Sequence, residues 1–111
     1  MGFKVVFNGC FGGYGVSELG ARWLLDNGAN PGNVRLTQRG EDVYVTCNIE
    51  RHDPLLVRMV ETLREDANGP NARLVVREIS QPLYRIEEYD GAERIEEPDD
   101  LSWTDARQVE G

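Results

Sequence analysis

The sequence predicts an α+β fold: a single domain with a mixed, mostly antiparallel sheet, two helices packed on one face, and a C-terminal β-hairpin. Three observations carry this. Apolar or alternating runs of strand length recur at 4–8, 43–47 and 74–79. Two segments, 18–27 and 54–68, have apolar residues at helical spacing. Two alternating segments, 83–89 and 93–97, flank Asp90-Gly91, a dipeptide that favours a tight hairpin turn. The 111 residues suffice for one domain. The domain is expected over 1–97, with an acidic, partly disordered tail over 98–111 in which Trp103 docks on the body.

Taken in order, Val5-Val6-Phe7 makes a first strand buried on both faces. Residues 9–15 then hold four glycines, and Ser17 is placed to cap the helix that follows. In that helix Leu19, Trp23 and Leu24 form one stripe, and Gly20 permits close packing on the sheet. Gly28 is a natural stop. Residues 28–42, rich in Asn, Gly and Pro, read as a long irregular loop or a frayed edge hairpin. Residues 43–47 are β-branched and aromatic. Asp53 caps the second helix and Pro54 fits its first position, ahead of an apolar face of Leu55, Leu56, Met59, Val60 and Leu63. If the first two strands run parallel, the Cys10 loop and the 51–53 turn leave one sheet edge together, where open α/β sheets bind ligands.

The net charge is −8, with charged residues at 29% and hydrophobic residues at 40%. Residues 87–100 contain eight acids and one base, Arg94, a local charge of −7 that leaves −1 for the rest. Direct binding of a nucleic-acid backbone is therefore not expected. A basic partner or simple solubility accounts for the acidic stretch. No apolar run is long enough for a membrane span. Cys10 and Cys47 have no metal-type spacing and are expected as reduced thiols in a cytoplasm. Neither a cofactor nor a metal site is called for by any ligand spacing.

The glycine loop fits neither the P-loop nor the dinucleotide-binding pattern, because its glycines fall at 9, 12, 13 and 15 and no Lys follows. It still offers backbone amides, a helix N-terminus and two aromatics. Gly9, Phe11, Gly12, Gly13, Tyr14, Gly15, Ser17 and Arg51 are thus the candidate site for a small anionic, nucleotide-like ligand, with Arg51 as the anion fork. The plain alternative places Phe11 and Tyr14 in the core and pairs Arg51 with Glu50 or Glu41. A second candidate is a partner-binding face of Tyr89, Glu93, Glu96 and Glu97, supported by Tyr84 and Trp103. A third makes Cys10 a nucleophile with His52, the single histidine, as base. Against it, Asp53 is explained by capping, and Cys10 is expected as a buried packing residue between the first strand and the helix. No residue is assigned a catalytic role.

Three blocks carry a resemblance. Cys10-Phe11-Gly12-Gly13-Tyr14-Gly15-Val16-Ser17, Arg51-His52-Asp53-Pro54-Leu55-Leu56-Val57 and Glu88-Tyr89-Asp90-Gly91 resemble, in order, a family of small proteins carried by phages and prophages. The likeness covers most of residues 3–97. It implies an accessory protein acting in the bacterial host cytoplasm, of the counter-defence kind, and supplies no catalytic residues. The expected functions are then binding of the small anion at the glycine loop or, alternatively, blocking of a basic host protein as an inhibitor or nucleic-acid mimic. A Cys-dependent enzyme is the second alternative. A homo-oligomer is allowed.

Overall fold

The computed structural model describes residues 2–98; the expectations for Trp103 and for the tail beyond Pro98 fall on 99–111, outside that range. The described chain is α+β, as the periodicities predict. Its elements are β1 (Phe3–Asn8), α1 (Glu18–Asp26), β2 (Val34–Arg39), β3 (Asp42–Cys47), α2 (Pro54–Leu63), a 3-10 turn (Arg64–Ala67), β4 (Leu74–Ile79), β5 (Arg85–Tyr89) and β6 (Ala92–Glu96).

The strands do not join into one mixed sheet. Among the described residues they form three antiparallel pairs, β1–β4, β2–β3 and β5–β6. The condition that the first strand runs parallel to residues 43–47 in one sheet is not met: among the described residues β1 pairs with β4 and β3 with β2, both antiparallel. Gly40, with φ of +63°, supplies the β2–β3 turn, so of the two readings of 28–42, irregular loop or edge hairpin, residues 34–39 follow the hairpin. In β1–β4, Phe3 lies opposite Ile79 and Asn8 opposite Leu74.

β1 is buried on both faces, as its apolar run predicts, and each face has its own core. Val6 packs with Leu24, Leu56, Met59 and Val34 in the larger core, under the two helices. Val5 packs with Ile79 and Ile95, beside Phe7 and Tyr84, and so joins the β1–β4 pair to the β5–β6 hairpin. The helices also pack on one another. Gly20 sits where a Cβ would come within 3.0 Å of the Met59 sulfur, so its smallness serves contact with α2 rather than with a sheet. Both caps form as expected: Ser17 accepts from the Gly20 amide at 2.9 Å and Asp53 from the Leu55 amide at 2.8 Å.

The β5–β6 turn takes positive φ at both central residues, 51° at Asp90 and 89° at Gly91, the backbone of a type I′ hairpin. Its tip is pressed onto the glycine loop. A Cβ on Gly91 would overlap the Phe11 carbonyl oxygen and lie 2.9 Å from the Gly13 nitrogen. Gly91→Ala should therefore cost both backbone strain and a steric clash, whereas Gly40→Ala, in open space, should cost strain alone. Urea unfolding of the two variants is expected to show Gly91→Ala less stable than Gly40→Ala by about 1–3 kcal/mol. Equal losses would contradict the packing of the tip on the loop.

Candidate functional site

Asn8, the last residue of β1, is fully buried. A buried primary amide must spend its donors and acceptor inside the protein. Its Nδ2 donates to the carbonyls of Cys10 and Gly91, each at 2.7 Å, and its Oδ1 accepts from the Arg73 amide at 2.8 Å. One side chain thus ties β1, the glycine loop, the hairpin tip and the start of β4 together.

Beside it lies Arg51. The Val6 amide donates to the Arg51 carbonyl at 2.8 Å, which fixes the 51–53 turn against β1. The Arg51 guanidinium then makes a fork to Glu93, Nη1 to Oε1 at 2.6 Å and Nη2 to Oε2 at 2.9 Å. It also stacks on the Tyr14 ring, 3.4 Å from its centroid. Glu93 Oε1 accepts a further bond from the Asn8 backbone N–H at 2.9 Å. The side chains of Arg51 and Glu93 are 22% and 7% exposed, so water screens this pair far less than a surface pair. Burial alone would raise the Glu93 carboxyl, but the hydrogen bonds from Arg51 and Asn8, with the Arg51 charge, outweigh it and hold the pKa below its ordinary value. Burial pushes the Tyr14 phenol well above its ordinary value, with Cys47 adding to the effect.

The candidate residues from the sequence are thereby redistributed. Arg51 pairs with Glu93, not with Glu50 or Glu41, and its fork is filled by a carboxylate of the protein. Tyr14 packs against the larger core. Phe11 is 69% exposed, contrary to a place in the core. Gly15 accepts from the Gly69 amide at 2.9 Å, Gly9 donates to the Arg73 carbonyl at 2.8 Å, and a Cβ on Gly12 would overlap the Asn71 carbonyl oxygen. Gly13 has φ of +93°, and a Cβ there would meet nothing within 4 Å. The Ser17 hydroxyl donates to the Asp66 carbonyl, so the start of α1 meets the 3-10 turn. Of the proposed partner-facing acids, Glu96 bonds Arg85 at 2.9 Å and Arg94 at 3.0 Å, while Glu97 lies 3.7 Å from Arg77. Glu93 is the Arg51 partner.

Cys10 is half-buried, and its thiol lies 3.3 Å from the Asn71 carbonyl and 3.4 Å from the Asn8 amide oxygen. It sits against the strand ends rather than under the helix. The His52 ring is hydrogen-bonded to the Tyr84 hydroxyl at 2.7 Å, so thiol and imidazole serve different neighbours. Among the described residues no group of three or more His, Cys, Asp or Glu is placed to hold a metal ion, and no helix is long and apolar enough to cross a membrane.

The structure also makes an outward-facing site. Phe11 and Tyr89, the latter 80% exposed, line a depression of about 530 Å³ with Glu87, Glu88, Ala92, Glu93 and Arg94. Glu87 is 3.2 Å from Arg85. Glu88 and Asp90 have no cationic partner among the described residues. Sequence reasoning found Phe11 and Tyr89 but assigned them to separate sites, since only the fold brings loop and hairpin together. It passed over Asn8, whose one signal was a polar residue closing an apolar strand.

No protein-family model, curated protein or solved structure matches this chain.

The Arg51–Glu93 pair makes stability depend on pH with a definite sign. A carboxyl held below its unfolded value stabilises the fold above that value, near 4.5, and the contribution is lost as pH falls through the folded pKa. The stability gap between the wild type and Glu93→Gln is thus expected to be full above about pH 5 and to shrink as pH falls below it. Urea unfolding at a series of pH values measures it; a gap that does not change with pH would contradict the assignment.

Proposed function

We propose that this chain is an interaction protein whose hairpin tip docks a Lys- or Arg-containing segment of a partner protein. The observation that supports this best is the placing of two exposed aromatics, Phe11 and Tyr89, around a depression lined by the unpaired carboxylate of Glu88, whose one basic lining residue, Arg94, is itself paired with Glu96. Aromatic faces and carboxylates together suit a cationic side chain, each exposed aromatic contact contributing about 0.5–1 kcal/mol. The resemblance to the phage- and prophage-encoded family supplies the setting of the proposal: a basic host protein in a bacterial cytoplasm, blocked by an accessory protein. The small-anion alternative at the glycine loop would require Arg51 to leave a fork of 2.6 and 2.9 Å on Glu93. The hairpin tip requires no such exchange.

The contacting residues in this proposal are Phe11, Glu88, Tyr89 and Asp90. Glu93, Glu96 and Glu97 shape and hold the hairpin, so reversing their charge would disturb the fold along with any binding. The tip should be tested where it is free of internal contacts. Capture from bacterial lysate on immobilised wild type, Phe11→Ala/Tyr89→Ala and Glu88→Lys, with elution across a salt series, is the experiment. A basic protein retained by the wild type is expected to be lost from both variants, with unfolding curves unchanged. Loss of the two aromatic contacts should weaken binding about tenfold or more. Retention that ignores both variants would refute the proposal.

A further inference from the structure

At the far end of the same hairpin, before β5 begins, lies a second depression, with basic side chains in its lining. Phe3, Pro54, Val57, Pro82 and Tyr84 form the apolar walls of an open pocket of about 540 Å³. Small-molecule sites typically measure about 300–1,000 Å³ and combine apolar walls with a few polar groups. The charged or ionisable side chains that line this one besides Tyr84 are Lys4, His52 and Arg58; no Asp or Glu lines it. Glu61 stands at Lys4 and Glu78 lies against Gly2 at its rim, so the cation left to a ligand is Arg58.

The three groups differ in what they have left to offer. Lys4 is bonded to Glu61 at 2.7 Å, so its charge is already met. The His52 Nδ1 shares a hydrogen bond with the Tyr84 hydroxyl at 2.7 Å, and the two rings meet edge to face at 77°. That pair braces one wall and leaves the second ring nitrogen of His52 without a partner among the described residues. Arg58, exposed on α2, lies 5.7 Å from the Trp23 ring and has no carboxylate partner among the described residues. Its guanidinium keeps the planar donor fork that suits a carboxylate.

We infer that this pocket is a binding site for a small aromatic monoanion, such as an aryl carboxylate. The ring lies among Pro54, Pro82 and Tyr84, and the acid group meets Arg58 beside His52. The glycine loop and Arg51 take no part, and the site is separate from the hairpin tip, so the two proposals stand or fall independently.

The test is an amide NMR titration of the whole chain with 2-naphthoate and, separately, with 2-naphthylmethanol, its uncharged counterpart. The expected result is saturable shifts at Phe3, His52, Val57 and Tyr84, with the naphthoate binding tighter than the alcohol. Arg58→Gln should weaken naphthoate about tenfold, the size of one charge-assisted hydrogen-bonded contact, and leave the alcohol within a factor of about two. Arg58→Lys should fall between, and Arg35→Gln, on β2, should change neither. Unaltered shifts away from the pocket report that each variant is folded. Absence of saturable shifts with naphthoate, or equal naphthoate affinity in the wild type and Arg58→Gln, overturns the inference.

Discussion

The fork from Arg51 to Glu93 joins parts of the chain that share no strand pairing. Arg51 comes from the turn ahead of α2 and Glu93 from β6, 42 residues later. Tyr14 reaches the guanidinium from the glycine loop and the Asn8 backbone N–H reaches the carboxylate from the end of β1. Two-stranded sheets are marginal alone and need a packed face. The β5–β6 hairpin has one, against Val5 and Ile79, but that cluster is small. The ion pair supplies the directional contact that fixes where the hairpin sits. A largely buried pair of this kind is not a large net gain over apolar packing, but breaking it leaves a poorly hydrated charge without its counter-ion. Its contribution is therefore chiefly positional, and the tip that carries Tyr89 takes its place beside Phe11 as a consequence.

This arrangement also decides which charges face outward. Counting acids in the sequence makes the whole of 87–100 look available to a partner. In the fold, Glu93, Glu96 and Glu97 answer Arg51, Arg85, Arg94 and Arg77. Glu88 and Asp90, beside the aromatics, are what the tip presents. The pocket under the 51–54 turn is sorted the same way: Lys4, His52 and Arg58 reach it from different elements, Lys4 is answered by Glu61, and Arg58 has no carboxylate partner among the described residues.

Features decided by neighbours in sequence were legible. The Ser17 and Asp53 caps, Pro54 at the start of α2, the Asp90-Gly91 turn and the double burial of β1 all follow from local chemistry. Features decided by distant residues were not. Gly40 was visible, yet nothing local told whether 34–39 would pair with 42–47 or fray. The glycine loop was read as a place for a ligand because close approach to its backbone was anticipated correctly, but what approaches Gly12 and Gly15 is the backbone of Asn71 and Gly69. Arg51 was recognised as a fork without its occupant, since a carboxylate 42 residues away has no signature in spacing.

The central claim is that Arg51 and Glu93 act as one unit that holds the hairpin on the body. A double-mutant cycle on Arg51→Met and Glu93→Met, by urea unfolding at neutral pH, tests it most directly. Each single variant is expected to lose about 3–5 kcal/mol, because it strands the other charge. The double variant should lose less than the sum of the two, with a coupling of about 2 kcal/mol or more. Losses that simply add would mean the two side chains do not depend on each other, and would contradict the account.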